Sequence, residues 1–580
     1  MRFRTSLSLD TSRESRSERF EESLTRFGVP ACILVYVTLS LLTYNDIFED
    51  AYIYFRFAEN IAAGYGYVFN RGGPPVEAGT SPVWQFLVAA LTFLPIPLVT
   101  AVKFLGILFG AVALVLTARL ANRFVSDPVA RLAPVLLTAT SIPFVLWGHR
   151  GLETPLFASA TLWATLCFTD PTLTRRWGLA ASALFLARPE GAFLLLALVP
   201  FFWLHRDRPV ELARPLLFLL CVAFVVTIAR MFYFHDLLPQ TFYMKMPSDY
   251  GASVAATHFY FRSAFLYPFA LPLLLCLPRR SFWSGEKIML LSVLALLVGW
   301  SLMVLEGSKP HFRHLVALLP VFYVACVSGL DYLLCGRTRP LRMLLRIACV
   351  AFVIATAAAP LTPARADRLQ PNPYGTAMGH FLQDPARYAS ATVTKIASPW
   401  IFTSLDRVAG SAIEQDYQAL IGKFLAENYP DGTRIVYDQM GQTAYFAGAD
   451  KIIVDSYGLT DKFAGYHTFA SRAERSSLLR LYRWLFFDIA TPAMAWEKRP
   501  DTAQDALDYL FDFDPDVILI NQWLVQNLPG TLTARFSKDE RLEQRYVRRA
   551  ALANLVVLYE RKGTERAELQ IPGGLYVWEY

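Results

Sequence analysis

The run "FGVPACILVYVTLSLLTYNDIFEDAYIYFRF" (residues 27–57) decides how the chain is read. Nineteen residues between Arg26 and Asp46 carry no charge; then Asp46, Glu49 and Asp50 place three acids within five positions. The uncharged run matches the ~20 residues an α-helix needs to cross the hydrocarbon of a bilayer. The polar leader before it is long, and no small-residue cleavage site follows, so the run reads as a first membrane anchor and not as a cleaved signal. The acids then stand at the mouth of a membrane helix.

Composition extends that reading to the rest of the chain. Of its 580 residues 54% are apolar and 18% charged, with 43 Phe, which is too apolar for an ordinary soluble enzyme. The net charge of +7 does not indicate nucleic acid, because membrane proteins keep Lys and Arg on the cytoplasmic side and this alone makes the chain basic. All seven Cys lie at or before Cys349, mostly in apolar runs and with no CxxC, which excludes a disulfide framework and argues against metal binding by Cys.

Residues 1–27, with six Arg and no Lys, are expected to form a disordered cytoplasmic tail. Twelve apolar segments follow, near 28–44, 82–98, 100–118, 132–148, 155–169, 177–187, 191–204, 212–232, 263–278, 288–305, 315–334 and 341–360. Arg119, Arg123 and Arg131 mark one cytoplasmic link; Arg175 and Arg176, Arg206 to Arg214, Arg279 to Lys287, and Arg337 to Arg346 mark others. They share one side with the N-terminus only if one early segment does not cross. The best candidate is 82–98, broken by Pro95 and Pro97, which is expected as a juxtamembrane helix at the outer interface. The expected architecture is a polytopic α-helical membrane domain over 28–360, with eleven crossings and a first outer loop at 45–81. A mixed α/β extracytoplasmic domain is expected over 361–580, where "GTRIVYDQMG", "KIIVDSYGL" and "PDVILINQW" read as short buried strands.

The outer loops hold the unusual residues. If 50–63 is a helix, Asp50, Tyr54, Phe57 and Ile61 fall on one side, and Glu49, Tyr52, Arg56 and Glu59 nearer the other. Such a helix is expected to lie flat at the interface, ended by Gly64 and Gly66. One of Glu49 and Asp50 is expected to cap it, leaving the other as a general base for a hydroxyl acceptor. "HRGLETP" (149–155), "ARPEG" (187–191), "FHDLLPQTFYMKM" (234–246) and "EGSKPHFRH" (306–314) carry further ionisable groups. Charges at membrane depth sit in cavities or pair with one another. Local salt bridging accounts for any one of them. Acids gathered early and bases gathered late suggest a site in which Arg, Lys and His hold a phosphate and an acid activates a hydroxyl. No HxxxH or HExxH is present, and His311 and His314 alone do not make a metal site, so neither a metal nor another cofactor is expected.

Several stretches resemble the polyprenyl-phosphate-dependent membrane glycosyltransferases of the GT-C class, in particular the arabinofuranosyltransferase-like branch of mycobacterial cell-wall synthesis. They are "EDAYIYFRFAENIAAGYGYVFN", "VEAGTSPVW", "GLETPLF", "ARPEG", "DLLPQTFYMK" and "RHLVALLP", with "IVYDQMGQTAYF" and "IVDSYGLTD" in the tail. The resemblance implies a polyprenyl-phosphate-linked sugar donor, a glycan or glycoprotein acceptor at the outer face of a bacterial inner membrane, and a catalytic acid in the first outer loop. By motif position that acid is Asp50, with Glu49 where relatives carry another Asp. Lys245, Arg313 and His311 are the implied partners of the donor phosphate. Arg56, Glu77, Thr80, Arg150, Glu153, Arg188 and Glu190 are expected to line the substrate pocket. The rival reading is a multi-pass transporter or flippase of a lipid-linked sugar, for which Arg188 and Glu190 at membrane depth are the main support. A receptor-like protein with the tail as its working part leaves the loop carboxylates without a purpose.

Overall fold

The computed structural model describes residues 27–44, 47–236, 239–241, 266–303, 313–334, 413–466, 503–527 and 530–579, apart from single positions within them, and scattered positions elsewhere. The chain divides into two compact units: Met1–Tyr44, Lys103–Leu220 and Tyr250–Ala391 form one, and Asn45–Val102, Cys221–Asp249 and Thr392–Tyr580 the other. The first outer loop thus belongs to the same unit as the C-terminal domain.

The described part of the first unit is helical. Three helices of the chain, Leu98–Phe124, Val210–Phe234 and Gly285–Met303, are long and apolar enough to cross a membrane; the first two run through both units. Leu132–Thr140 and Ile142–His149 form a fourth possible span, bent by 61°. The bend has a local cause: Ser141 is extended, and Pro143 opens the second helix. Phe27–Leu42, Trp177–Ala187, Glu190–Leu204, Leu266–Cys276 and Leu318–Leu334 are apolar but shorter. The apolar segments therefore become helices, while the described residues supply three or four spans of full length against the eleven crossings expected. Segment 341–360 lies almost wholly outside the described residues. Segment 82–98 becomes the ten-residue helix Pro82–Leu91, short of the ~20 residues of a crossing.

The second unit is built on a six-stranded sheet of β1 (Arg434–Tyr437), β2 (Ile452–Asp455), β3 (Val517–Asn521), β4 (Tyr546–Leu552), β5 (Val556–Arg561) and β6 (Val577–Glu579). The order is β2-β1-β3-β5-β4-β6, parallel from β2 to β3 and antiparallel beyond. Alternation along β1 separates two cores. Ile435 and Tyr437 face a cluster with Ile421, Phe424 and Met440, while Val436 joins Phe511, Ile518 and Phe536 on the other face.

The first of these cores also takes in Ile53, Phe57, Tyr67, Phe69, Val76 and Ala78 from the outer loop. The loop helix, Ala51–Ala62, is buried on both sides, with Tyr52, Phe55 and Arg56 enclosed as fully as Tyr54 and Phe57. The expectation of a helix lying flat at the interface is thus corrected: its aromatic second face meets Tyr445 and Phe446, with Tyr52 ring centroids 5.3 and 5.2 Å away. The helix ends as expected at Gly64, whose φ of 85° is the left-handed conformation that glycine adopts without a Cβ clash. Gly64 N–H donates to the Ile61 carbonyl, and Tyr65 N–H to that of Asn60, closing the last turn.

Buried polar bonds hold this loop in its unit. Arg56 donates to the carbonyls of Phe69 (2.9 Å), Ala444 (2.5 Å), Gly448 (3.1 Å) and Lys451 (2.7 Å) and to Asn70 Oδ1 (3.4 Å). Glu49 accepts from Gly441 N–H at 2.6 Å. The chains approach so closely there that a Cβ on Gly441 would lie 2.2 Å from the Glu49 carbonyl oxygen. Gly441→Ala is expected to cost about 1–3 kcal/mol through this overlap. It should lower the melting temperature of the full-length protein and expose the 49–70 segment to protease; unchanged melting and digestion would contradict the described contact.

A second prediction concerns pH. Parallel pairing sets Tyr437 beside Asp455, so β1 and β2 end together and place the buried Asp438 and Asp455 near one another. Burial pushes the Asp438 carboxyl up to about 7, and Asp455 adds to the rise. Burial likewise brings Asp455 to about 6, against the pull of backbone N–H donors from Tyr457 and Thr460. A raised carboxyl favours the folded state when protonated. The contribution is therefore full below the unfolded value of ~4 and is lost as pH rises through about 6 to 7. Hydrogen exchange in β1 and β2 is expected to be faster at pH 8 than at pH 5, after correction for intrinsic exchange. Asp438→Asn should remove much of that difference.

Candidate functional site

In the helical unit the motifs "GLETPLF", "ARPEG" and "RHLVALLP" bring their charged residues together. Glu153 ends the turn before the helix Thr154–Thr169, whose first turn contains Pro155. Arg188 and Pro189 break the chain between Trp177–Ala187 and Glu190–Leu204, with Arg188 extended at φ −164°. Arg313 and His314 belong to a short turn leading into Leu318–Leu334. These breaks let charged groups leave an apolar helical pattern and meet.

Glu153 is fully buried and receives Arg313 Nη2 at 2.5 Å and Arg188 Nη1 at 3.0 Å on one carboxylate oxygen. Arg188 Nη2 also reaches Glu190 at 2.5 Å, and His314 Nδ1 lies 3.6 Å from the same Glu190 oxygen. Arg313 Nε donates to the Thr154 hydroxyl at 3.3 Å. The Trp147 ring lies 4.8 Å from the Arg150 guanidinium carbon and 5.5 Å from that of Arg313, which places both cations at cation–π range. Together, two carboxylates and two guanidiniums lie almost wholly out of water. Removing one partner of such a set leaves an uncompensated buried charge and costs about 3–5 kcal/mol. A void of about 10 Å³, no larger than one water needs, lies beside it, with Phe157, Leu194, Leu297 and Trp300 as apolar lining and Glu190 and Arg313 as charged lining. Trp300 Nε1 and Glu190 Oε2 are both buried without a hydrogen-bond partner among the described residues.

In the second unit the loop acids have different surroundings. Neither takes the expected capping role. Asp50 occupies the N-cap position, but its side chain makes no capping bond. The first amides are satisfied instead by the backbone, with Ala51, Tyr52 and Ile53 donating to Phe48, Glu49 and Asp50 carbonyls. Glu49 is committed to Gly441, so it serves as an anchor and Asp50 is the acid not engaged in that contact.

Other expected pocket residues hold the loop. The five donor bonds of Arg56 use the full complement of a guanidinium. Glu77 pairs with Arg230 through both carboxylate oxygens, one bond measuring 3.0 Å. Burial raises the Glu77 carboxyl above its ordinary value while Arg230 and Lys462 pull it down. Thr80 N–H donates to the Tyr54 hydroxyl at 2.9 Å, and Ser81 caps Pro82–Leu91 by accepting from Trp84 N–H. Lys245, His311 and Asp46 lie outside the described residues.

The sequence reading passed over Arg230, Gln240 and Lys462. Gln240 donates to the Gly458 carbonyl at 2.9 Å, and Lys462 pairs with Asp236 at 2.8 Å. They explain why "DLLPQTFYMK" and "IVDSYGLTD" keep polar residues. Arg230 could have been found: it is the one cation inside the apolar run 215–234, and such a residue needs a buried partner. Among the described residues no group of His, Cys, Asp and Glu could hold a metal ion.

Residues 411–566 match the family described as "Domain of unknown function (DUF8728)". No curated protein matches the chain by sequence. Solved structures do. ArnT from Cupriavidus metallidurans in the apo state is 13% identical, covers 92% of this chain and 96% of its own, and has a TM-score of 0.50. The same protein bound to undecaprenyl phosphate is 12% identical, with 93% and 99% covered and a TM-score of 0.48. The archaeal oligosaccharyltransferase AglB from Archaeoglobus fulgidus, in complex with an inhibitory peptide and a dolichol-phosphate, is 12% identical, with 96% and 76% covered and a TM-score of 0.49. The likeness to apo ArnT shows a common GT-C fold: apolar helices followed by a C-terminal domain containing a sheet.

Proposed function

We propose that the protein is a membrane glycosyltransferase that moves a sugar from a polyprenyl-phosphate donor to a hydroxyl of an envelope glycan or glycoprotein. The observation that carries this reading is the buried set Glu153, Arg188, Glu190 and Arg313. Its members come from three separated motifs of the glycosyltransferase resemblance. Guanidiniums suit the phosphate of a lipid-linked donor. The GT-C fold shared with apo ArnT supports the same reaction class.

In the reaction proposed, Arg313, held in orientation by Glu153 and Thr154, binds the donor phosphate and stabilises the charge it gains as the anomeric bond breaks. Lys245 and His311 are proposed to assist. Asp50 accepts the proton of the acceptor hydroxyl as its oxygen bonds to the anomeric carbon, and polyprenyl phosphate leaves. Glu49 keeps the loop seated. Arabinofuranose, implied by the motif resemblance, is the first sugar to test. The transporter reading gains no specific support: Arg188 and Glu190 are bonded into the same ion set and not exposed to a water-filled path.

The test is release of polyprenyl phosphate from a panel of polyprenyl-phosphate sugars by purified full-length protein. Asp50→Asn is expected to fold and bind lipid yet lose about 100-fold or more in transfer; full turnover by this variant would end the assignment of the base. Arg313→Lys retains the charge but not the fork that spans Glu153 and Thr154. It should weaken donor use about tenfold or more, read as kcat/KM for the donor, with little effect on the KM for acceptor.

A further inference from the structure

A second charged cleft lies in the helical unit, among residues the proposed reaction does not use. Arg175, Glu211 and Arg214 supply its charged lining, Leu179, Val210 and Phe218 its apolar lining, and its volume is about 720 Å³. That is within the range of roughly 300–1,000 Å³ typical of small-ligand sites.

The cleft follows from how two helices meet. A short turn, Thr174–Arg176, runs directly into Trp177–Ala187 and presents Arg175. The long helix Pro209–Phe234 passes so close that a Cβ on Gly178 would lie 2.3 Å from the Pro215 carbonyl oxygen. This contact fixes the two helices at one point. Pro215 has no amide hydrogen, so it interrupts the helix ladder at the same level. Before the contact the chains bear Arg175 and Arg214; after it the surface is apolar and open, with Leu179 51%, Leu217 63% and Phe218 46% exposed.

Two features together select a ligand. The guanidiniums match a phosphate, which they can bind through paired N–H donors. The exposed Leu and Phe side chains running from the same mouth belong to helices apolar enough for a bilayer, where the chains of a lipid can lie along them while its phosphate meets the arginines. Glu211 sits on the rim with the two arginines, where it accepts hydrogen bonds from a hydroxylated headgroup. The arginine-rich side of such a helix set faces the cytoplasm, where anionic lipids draw basic segments to the surface. We propose that this cleft is a specific site for an anionic glycerophospholipid of the phosphatidylglycerol type, its phosphate on Arg175 and Arg214, its glycerol hydroxyls on Glu211 and its chains along Leu179 and Phe218.

Native mass spectrometry of the full-length protein, delipidated and then titrated with phosphatidylglycerol, tests this. Wild type is expected to retain one lipid that survives collisional activation. Arg175→Gln with Arg214→Gln should weaken that retention at least tenfold, and Phe218→Glu, a separate change in the apolar wall, should do the same. Arg279→Gln with Arg280→Gln removes two other exposed cations and should leave it unaltered. Millimolar inorganic phosphate should not displace the lipid. The proposal is overturned if both cleft variants retain lipid as wild type does, or if the Arg279 and Arg280 pair matters equally. Equal retention of phosphatidylethanolamine, or displacement by inorganic phosphate, would overturn it too.

Discussion

A carboxylate with no access to water must be neutralised where it stands, and Glu153 shows how this chain does so. It is fully buried, and two arginines from distant segments converge on it. Desolvation of such a set is expensive, so the geometry has to be good and the remaining hydrogen-bond positions filled. That requirement accounts for the breaks in the helical unit. Arg188 must leave the helix at an extended residue to reach both Glu153 and Glu190. Arg313 must come from a turn before the next helix, with Thr154 satisfying its Nε. Uninterrupted helices could not deliver those groups to one place, so the short apolar helices follow from the site.

The second unit meets the same constraint with different chemistry. Arg56 is equally buried but forms no ion pair among the described residues; it is satisfied by four backbone carbonyls and an asparagine oxygen. Its own proton is made easier to lose by burial, down to about 10, with Glu59 acting against that trend, so it stays cationic across the physiological range. Carbonyls accept hydrogen bonds without neutralising a charge. The cation therefore ties together segments nearly four hundred positions apart. Rigidity is what the proposed reaction requires of this loop, because an acid displaced by an ångström loses much of its effect.

Much of the secondary structure was legible in the sequence. The loop helix was expected over 50–63 and runs from Ala51 to Ala62, because Gly64 and Gly66 end it locally. β1, β2 and β3 lie where the apolar runs with β-branched residues put them. β4 to β6 went unread: alternation such as "YVRRAAL" interleaves arginines with small residues and carries a weak period. The two-sided pattern of the loop helix, with Tyr54, Phe57 and Ile61 on one side and Arg56 and Glu59 nearer the other, implies a helix lying flat at the interface. Its aromatic second face and Arg56 are instead matched by Tyr445, Phe446 and carbonyls that lie far along the chain. Periodicity reports that a face is apolar or polar; it does not report which distant backbone groups will receive an arginine.

The candidate site was legible in the same uneven way. Glu153, Arg188, Glu190 and Arg313 stand out in the sequence because ionisable groups within apolar segments must pair or line a cavity. Glu49 and Asp50 do not separate by that argument, as both are acids at a helix start. Glu49 lies against Gly441, whose missing Cβ admits its backbone and carboxylate together. A glycine nearly four hundred residues away thus gives the two neighbouring acids different surroundings. The base of the proposed reaction must exchange its proton with a substrate, and a carboxylate that accepts from a buried backbone amide is less able to do so.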